Sequence, residues 1–231
     1  MPTYLEKQIQ EAEAERDKTT QEIAQLNQQQ PSEYQQQLVK DSSDVKTILI
    51  LAANPQNTSR LRLEEEIREI DEALRRANKR DQFKLEMKLA VRHQDFYRAM
   101  LDTHPQIVHF CGHGEGENGI FLEDETGQTA FVQTGTLSSL FKLFAKKGLD
   151  CVVLNACYSE VQAEAISQHI NYVIGMNWAI GDQAAINFSI AFYDALAAGE
   201  DVEFAFELGC SQLIDLKENQ TPILKRLAHQ K

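Results

Sequence analysis

From Val45 onward the chain repeats one pattern: a short apolar run, a polar turn, then apolar residues spaced three and four apart. Lys46-Thr47-Ile48-Leu49-Ile50-Leu51-Ala52 reads as a buried first strand, stopped at Asn54-Pro55. Leu61, Leu63, Ile67, Ile70, Leu74 and Ala77 then trace one face of an amphipathic helix. Residues 83–91 alternate apolar and polar positions, the pattern of a strand with one wetter face near a sheet edge. A helix over 95–103 and a second buried strand, Ile107-Val108-His109-Phe110-Cys111, follow. Residues 119–131 predict a hairpin turning at Glu125-Thr126-Gly127. A helix over 135–147, a strand Cys151-Val152-Val153-Leu154-Asn155 and a helix over 160–168 come next. A short strand over 172–176 and helices over 182–198 and 202–216 complete the series. Strands apolar on both faces, alternating with helices, predict an α/β fold with a mainly parallel sheet covered on both sides.

Residues 1–44 break this pattern. They are rich in Gln, Glu, Lys and Ala and contain no Gly. Leu5, Ile9, Ala12, Arg16, Thr19, Ile23 and Leu26 follow alternating steps of four and three, a heptad phase with polar residues in its middle. A solvated helix lying on the main domain and a helix for self-association or partner docking both fit. Pro31-Ser32 ends it, and residues 33–40 predict a second short helix before the linker Asp41-Ser42-Ser43-Asp44. The expected division is a helical interaction segment over 1–40, a main domain over 45–216 and a tail over 217–231.

A length of 231 residues is enough for one substantial core and an appendage, and 42% hydrophobic with 25% charged residues is ordinary for a soluble globular protein. A net charge of −12 argues against a nucleic-acid partner. The start Met1-Pro2-Thr3-Tyr4-Leu5-Glu6-Lys7 has no apolar core behind a basic end, so no secretory signal is expected. No apolar run approaches the ~18 residues of a membrane span. Cys111, Cys151, Cys157 and Cys210 lack Cys-x-x-Cys spacing, so free thiols in a reducing cytoplasm are expected.

Candidate chemistry lies where two strands end: His109-Phe110-Cys111-Gly112-His113-Gly114 and Leu154-Asn155-Ala156-Cys157-Tyr158-Ser159. If the strands are neighbours, His113 and Cys157 meet at the carboxyl edge of the sheet, as a thiol nucleophile and its base require. Taken singly, each residue has a blander reading, a core cysteine and a structural histidine. Ser159-Glu160-Val161-Gln162 fits a capping box, predicting a helix start whose amides and dipole favour a thiolate at Cys157. Residues 114–119, with three glycines, read as a mobile loop bordering a groove. His109, Cys111 and His113 alternate onto one strand face. Neighbours on one strand rarely converge on an ion, however, and no metal or other cofactor is expected. Asn54-Pro55-Gln56-Asn57-Thr58 has neither the glycines nor the lysine of a nucleotide loop. Cys111 near Cys157 would allow an inhibitory disulfide under oxidation.

These motifs resemble the CHAT domain family, caspase-like cysteine peptidases related to separases, metacaspases and gingipains. The resemblance runs from about Val45 to Gly209 and includes Ile50-Leu51-Ala52-Ala53-Asn54-Pro55, Gly175-Met176, Gly181-Asp182 and Phe192-Tyr193-Asp194-Ala195-Leu196. It implies a three-layer α/β/α caspase-like sandwich. It also implies a Cys-His dyad, with His113 as general base and Cys157 as nucleophile, and an oxyanion hole from the Gly114 and Cys157 amides. A protein or peptide substrate and a regulatory or defence role follow from the same resemblance. Relatives place an acidic residue after the strand that follows the nucleophile, facing a basic P1 side chain. Asp182 holds that place, and could equally cap the next helix. Met176 and Trp178 either line the same pocket or belong to the core. Asn155, a further candidate at the substrate, stands where metacaspases carry an aspartate, so Asp182 carries the argument for basic specificity. No residue orienting His113 stands out. The expectation is a cysteine endopeptidase cleaving after Arg or Lys, with a latent or inactive signalling scaffold as the alternative.

Overall fold

The computed structural model describes residues 45–77 and 79–227, together with isolated helical positions at Lys7, Glu13, Glu15, Arg16 and 18–20. The chain divides into two units, Met1–Val45 and Lys46–Lys231. In the first, the Thr19 and Thr20 hydroxyls donate to the carbonyls of Glu15 and Arg16, one helical turn back. The rest of the heptad seam and the short helix expected over 33–40 lie outside the described residues.

The second unit is built on a six-stranded sheet. Its strands are β1 (Lys46–Ala52), β2 (Phe83–Lys88), β3 (Ile107–Cys111), β6 (Cys151–Asn155), β7 (Tyr172–Met176) and β8 (Pro222–Arg226), in the order β2-β1-β3-β6-β7-β8. All neighbours are parallel except β7 and β8. A separate hairpin, β4 (Ile120–Glu123) and β5 (Thr129–Val132), inserts between β3 and β6. The continuous apolar run of β1 is explained by its position, since Ile48, Leu49, Ile50 and Leu51 are fully buried between two helical layers. Phe83–Lys88 lies at the edge and keeps its alternation.

Helices α1 (Leu63–Arg76), α5 (Asp182–Ala198) and α6 (Val202–Ser211) cover one face, where Ile48, Ile50, Ile67, Ile70, Phe188 and Phe192 pack together. Helices α2 (His93–Thr103), α3 (Thr134–Ala145) and α4 (Glu160–Ile166) cover the other, around Leu49, Leu51, Phe96, Val108, Phe110 and Phe141. The result is the expected α/β/α sandwich. Among the described residues no helix is long and apolar enough to cross a membrane.

Two expectations change. The segment read as a tail contains β8, which pairs antiparallel with β7 from Tyr172↔Arg226 to Met176↔Pro222. Its proline and its two cations suit an edge strand and hide it from a hydrophobic pattern. Lys225 Nζ reaches Glu160 and Glu164 of α4 at 3.2 and 2.9 Å. The helix expected over 202–216 ends at Ser211 and gives way to turns.

β7 approaches α4 closely at Gly175, where an added Cβ would stand 2.8 Å from Ala163 Cβ and 3.0 Å from the Ser159 carbonyl oxygen. Gly175→Ala is therefore expected to cost about 1–3 kcal/mol by overpacking. The check is a urea melt, in which the midpoint falls at unchanged slope.

Candidate active site

The register of β3 against β6 runs from Ile107↔Cys151 to Cys111↔Asn155, so the two strands end level. The Gly112 amide continues the ladder by donating to the Asn155 carbonyl at 3.3 Å. His113 and Cys157 therefore leave the sheet side by side and line one small pocket with about 30 Å³ of free volume. Among the described residues they make no hydrogen bond to each other. The His113 ring leans on Phe121, and its Nε2–H donates to the Ser59 carbonyl at 2.7 Å. That bond fixes the tautomer and leaves Nδ1 as the proton acceptor. Ser59, in the loop between β1 and α1, is thus the orienting group that no side-chain pattern could reveal. Cys157 Sγ, half-buried, lies 3.7 Å from the Ile180 carbonyl. A larger cavity of about 470 Å³ lies beyond β1 and β2, between the Asn54–Arg60 loop and Leu89. Its lining contains neither His113 nor Cys157, so the candidate pair belongs to the small pocket.

The turn carrying Cys157 is held from behind. Ser159, fully buried, donates from Oγ to the Leu154 carbonyl and accepts from the Met176 amide, each at 2.9 Å. The hydroxyl is thereby lost to the expected capping box: α4 starts at Glu160, but Ser159 makes no side-chain cap. Gln162 instead donates to the Gly116 carbonyl at 2.7 Å and to Thr134 Oγ1 at 2.8 Å, tying down the loop expected to be mobile. Tyr158 is left-handed at φ 55°, a conformation non-glycine residues adopt rarely and chiefly where tertiary contacts impose it. Gly114 runs so close that a Cβ there would stand 2.5 Å from the Cys157 carbonyl oxygen. Among the described residues neither the Gly114 nor the Cys157 amide donates to a protein acceptor, leaving both available to an oxyanion.

Beneath this turn lies a buried polar network that the sequence reading missed. Glu66 of α1, only 3% exposed, places Oε1 against His109 Nε2 (3.1 Å), Asn155 Nδ2 (2.6 Å) and Ser189 Oγ (2.8 Å). His109 Nδ1 meets the Tyr193 hydroxyl at 3.0 Å. Burial alone would push the Glu66 carboxyl up. The hydrogen bond and charge of His109, with the Ser189 and Asn155 bonds, outweigh it and hold the carboxyl below its ordinary range. Burial also pushes the Tyr193 hydroxyl and the Cys111 thiol far up. Glu66, His109 and Cys111 bring possible ligand atoms within 4.8 Å of one another. Both His109 ring nitrogens are in hydrogen bonds, Glu66 Oε1 takes three and the Cys111 thiol is held protonated, so the group reads as a network rather than a metal centre.

The candidate substrate residues separate. Asp182 lines the pocket with His113 and Cys157. It does not cap α5: Gly181 is the N-cap, and Asp182 lies in the first turn. Asn155 also lines the pocket, but its amide nitrogen is committed to Glu66. Met176 is fully buried in the core, and Trp178 is 65% exposed, set edge-on to Tyr158 outside the pocket. Cys111 is sealed against the Leu51 carbonyl, and all four cysteines are free.

A sequence model of the CHAT domain matches residues 6–223. The chain belongs to the CHAT domain family. The match reaches further than the motifs suggested, through the N-terminal segment and into β8. Among curated proteins the chain is 28% identical over 71% of its length to a "Probable protease" from Gillisia limnaea, of which it covers 29%. It is 24% identical over 74% of its length to a "Roc-COR-CHAT protease" from an unknown prokaryotic organism, of which it covers 17%. This CHAT domain thus spans less than a third of these relatives. Among solved structures, a secreted C11 cysteine protease from Bacteroides thetaiotaomicron superposes with a TM-score of 0.57 at 14% identity, covering 74% of this chain and 59% of that one. Caspase-1 from Spodoptera frugiperda gives 0.55 at 12% identity, covering 81% and 88%. The fold is caspase-like.

In this CHAT domain the lowered Glu66 carboxyl stabilises the folded state fully above its ordinary value of 4.5, and that contribution is lost as pH falls through the lower folded value. Glu66→Gln is expected to flatten the acid side of the stability curve below about pH 4.5, measured by urea unfolding at each pH. Glu66→Ala, which strands His109 without its acceptor, is expected to cost about 3–5 kcal/mol at neutral pH.

Proposed function

We propose that this CHAT domain is a cysteine endopeptidase acting through His113 and Cys157, with a preference for Arg or Lys at P1. The observation that carries the reading is the level ending of β3 and β6, with both side chains in one pocket. Nδ1 of His113 takes the thiol proton, and the Cys157 thiolate attacks the scissile carbonyl. The negative oxygen is met by the Gly114 and Cys157 amides. His113 returns the proton to the leaving amine, and the acyl-enzyme is resolved by a water that His113 deprotonates in turn. Asp182 at the pocket supplies the charge for a basic P1 side chain. The protease-named relatives support the same reaction class.

The pocket favours a latent form of this reading. Its free volume of about 30 Å³ is too small for an arginine or lysine side chain, so Leu61 and Arg62 have to withdraw before substrate enters. Residues 1–40 are proposed to recruit a regulatory partner or a second copy that drives this opening, in a reducing cytoplasm where Cys157 stays free. Removing residues 1–40 is then expected to lower the size of the particle in solution or abolish its activation.

Fluorogenic peptides varied at P1 test the chemistry. Cys157→Ala is expected to abolish cleavage, and His113→Ala to slow it roughly 10²–10⁴-fold. Cleavage that survives Cys157→Ala removes the dyad, and an acidic or apolar P1 preference removes Asp182 from its role.

A further inference from the structure

The pocket beside Cys157 contains two acceptors without a donor. Glu66 Oε1 takes three hydrogen bonds, while Oε2 takes none among the described residues. Asn155 is 4% exposed, its Nδ2 is spent on Glu66, and its Oδ1 is buried without a partner. The amide cannot be turned over to cure this, because Oδ1 would then face the carboxylate at 2.6 Å. Glu66 and Asn155 line the same pocket as His113, Cys157 and Asp182. Of the two, Asn155 Oδ1 is the fully buried one, and a buried acceptor left open is costly in the free protein, a cost that a ligand bringing a donor relieves.

Resting on the peptidase reading above, we propose that Glu66 is a second specificity carboxylate of the substrate pocket, which with Asn155 and Asp182 selects arginine over lysine at P1. An ammonium concentrates three donors on one atom. A guanidinium spreads five over a planar fork, and only the fork reaches acceptors on three separate side chains. A guanidinium of the chain itself already lines the pocket. Arg62 lines it, donates from Nη1 to Gln183 at 3.4 Å, and is held protonated by the Glu65 hydrogen bond, with Asp182 adding a smaller attraction. Arg62 therefore offsets charge at Asp182, whereas the free oxygen of Glu66 awaits the incoming side chain. Asn155 does not remove negative charge from the pocket, as the comparison with metacaspases suggested; it clamps that of Glu66 in place. An aspartate at position 155 would set two carboxylates against each other.

The test uses peptides identical except for Arg, Lys or citrulline at P1, with wild type, Glu66→Gln and Asp182→Asn. Wild type is expected to favour Arg over Lys by about ten- to a hundredfold in kcat/KM and to reject citrulline. In Glu66→Gln the side-chain oxygen can keep its three donors while an amide replaces the free acceptor, and the Arg/Lys ratio is expected to fall towards one. Asp182→Asn lowers both substrates together. A merely structural Glu66 would slow Arg and Lys by the same factor, so an unchanged ratio in Glu66→Gln overturns the proposal. A second measurement needs no turnover: protection of Cys157 from iodoacetamide by butylguanidine or butylamine, read by mass spectrometry. Butylguanidine is expected to protect wild type better than butylamine, and to lose that advantage in Glu66→Gln. Equal protection by the two amines in wild type overturns the arginine pocket. Selective protection in a protein that cleaves no peptide supports the pocket on its own, since a latent form cleaves nothing before it is opened, and leaves the peptidase reading to the Cys157→Ala comparison.

Discussion

A carboxylate withdrawn from water has to be met by donors, and Glu66 sets that condition on four elements at once. It stands on α1, and His109 of β3, Asn155 of β6 and Ser189 of α5 each bring it a hydrogen. Desolvating the charge costs several kcal/mol, so these contacts do more to fix geometry than to add stability. Their consequence is local. Asn155 lies two residues before Cys157, and His109 four before His113, so both arms that carry the proposed dyad leave the sheet from residues clamped to one charge. The parallel register then delivers the arms level with each other, and the Ser159 hydroxyl holds the turn behind the thiol.

The loop between β1 and α1 links this rigid floor to motion. One segment provides the Ser59 carbonyl that orients His113 and the Leu61 and Arg62 side chains that narrow the pocket. Moving Leu61 and Arg62 outward would widen the pocket, while the Ser59 contact has to be kept or regained for the imidazole to stay oriented. Latency and catalysis would then share one moving part, while the Glu66 network stays fixed beneath it. Arg62 itself is held by an exposed ion pair with Glu65, a contact of small worth.

The elements legible in the sequence were those whose burial leaves a pattern. β1, β3 and β6 are apolar on both faces because helices cover both, and Asp182–Ala198 follows its predicted bounds. β8 was hidden because an edge strand tolerates Pro222 and needs Lys225 and Arg226. The capping box at Ser159 failed because long-range partners, the Leu154 carbonyl and the Met176 amide, took the hydroxyl that the local motif reserved for the helix. Glu66 did leave a signal, as a carboxylate on the same helical face as Leu63, Ile67 and Ile70. So did His109, inside an apolar strand. Their pairing spans 43 residues and needed the fold to be seen. Ser59 acts through its backbone and left no trace at all.

The most direct measurement is a crystal structure of the protein carrying an irreversible arginyl ketone peptide. The expected result is a covalent bond from Cys157 Sγ, the ketone oxygen on the Gly114 and Cys157 amides, and the guanidinium between Asp182 and Glu66 with Asn155 Oδ1 as a third acceptor. An inhibitor bonded to another thiol, or an arginine side chain left in solvent with the pocket still closed, would contradict the account.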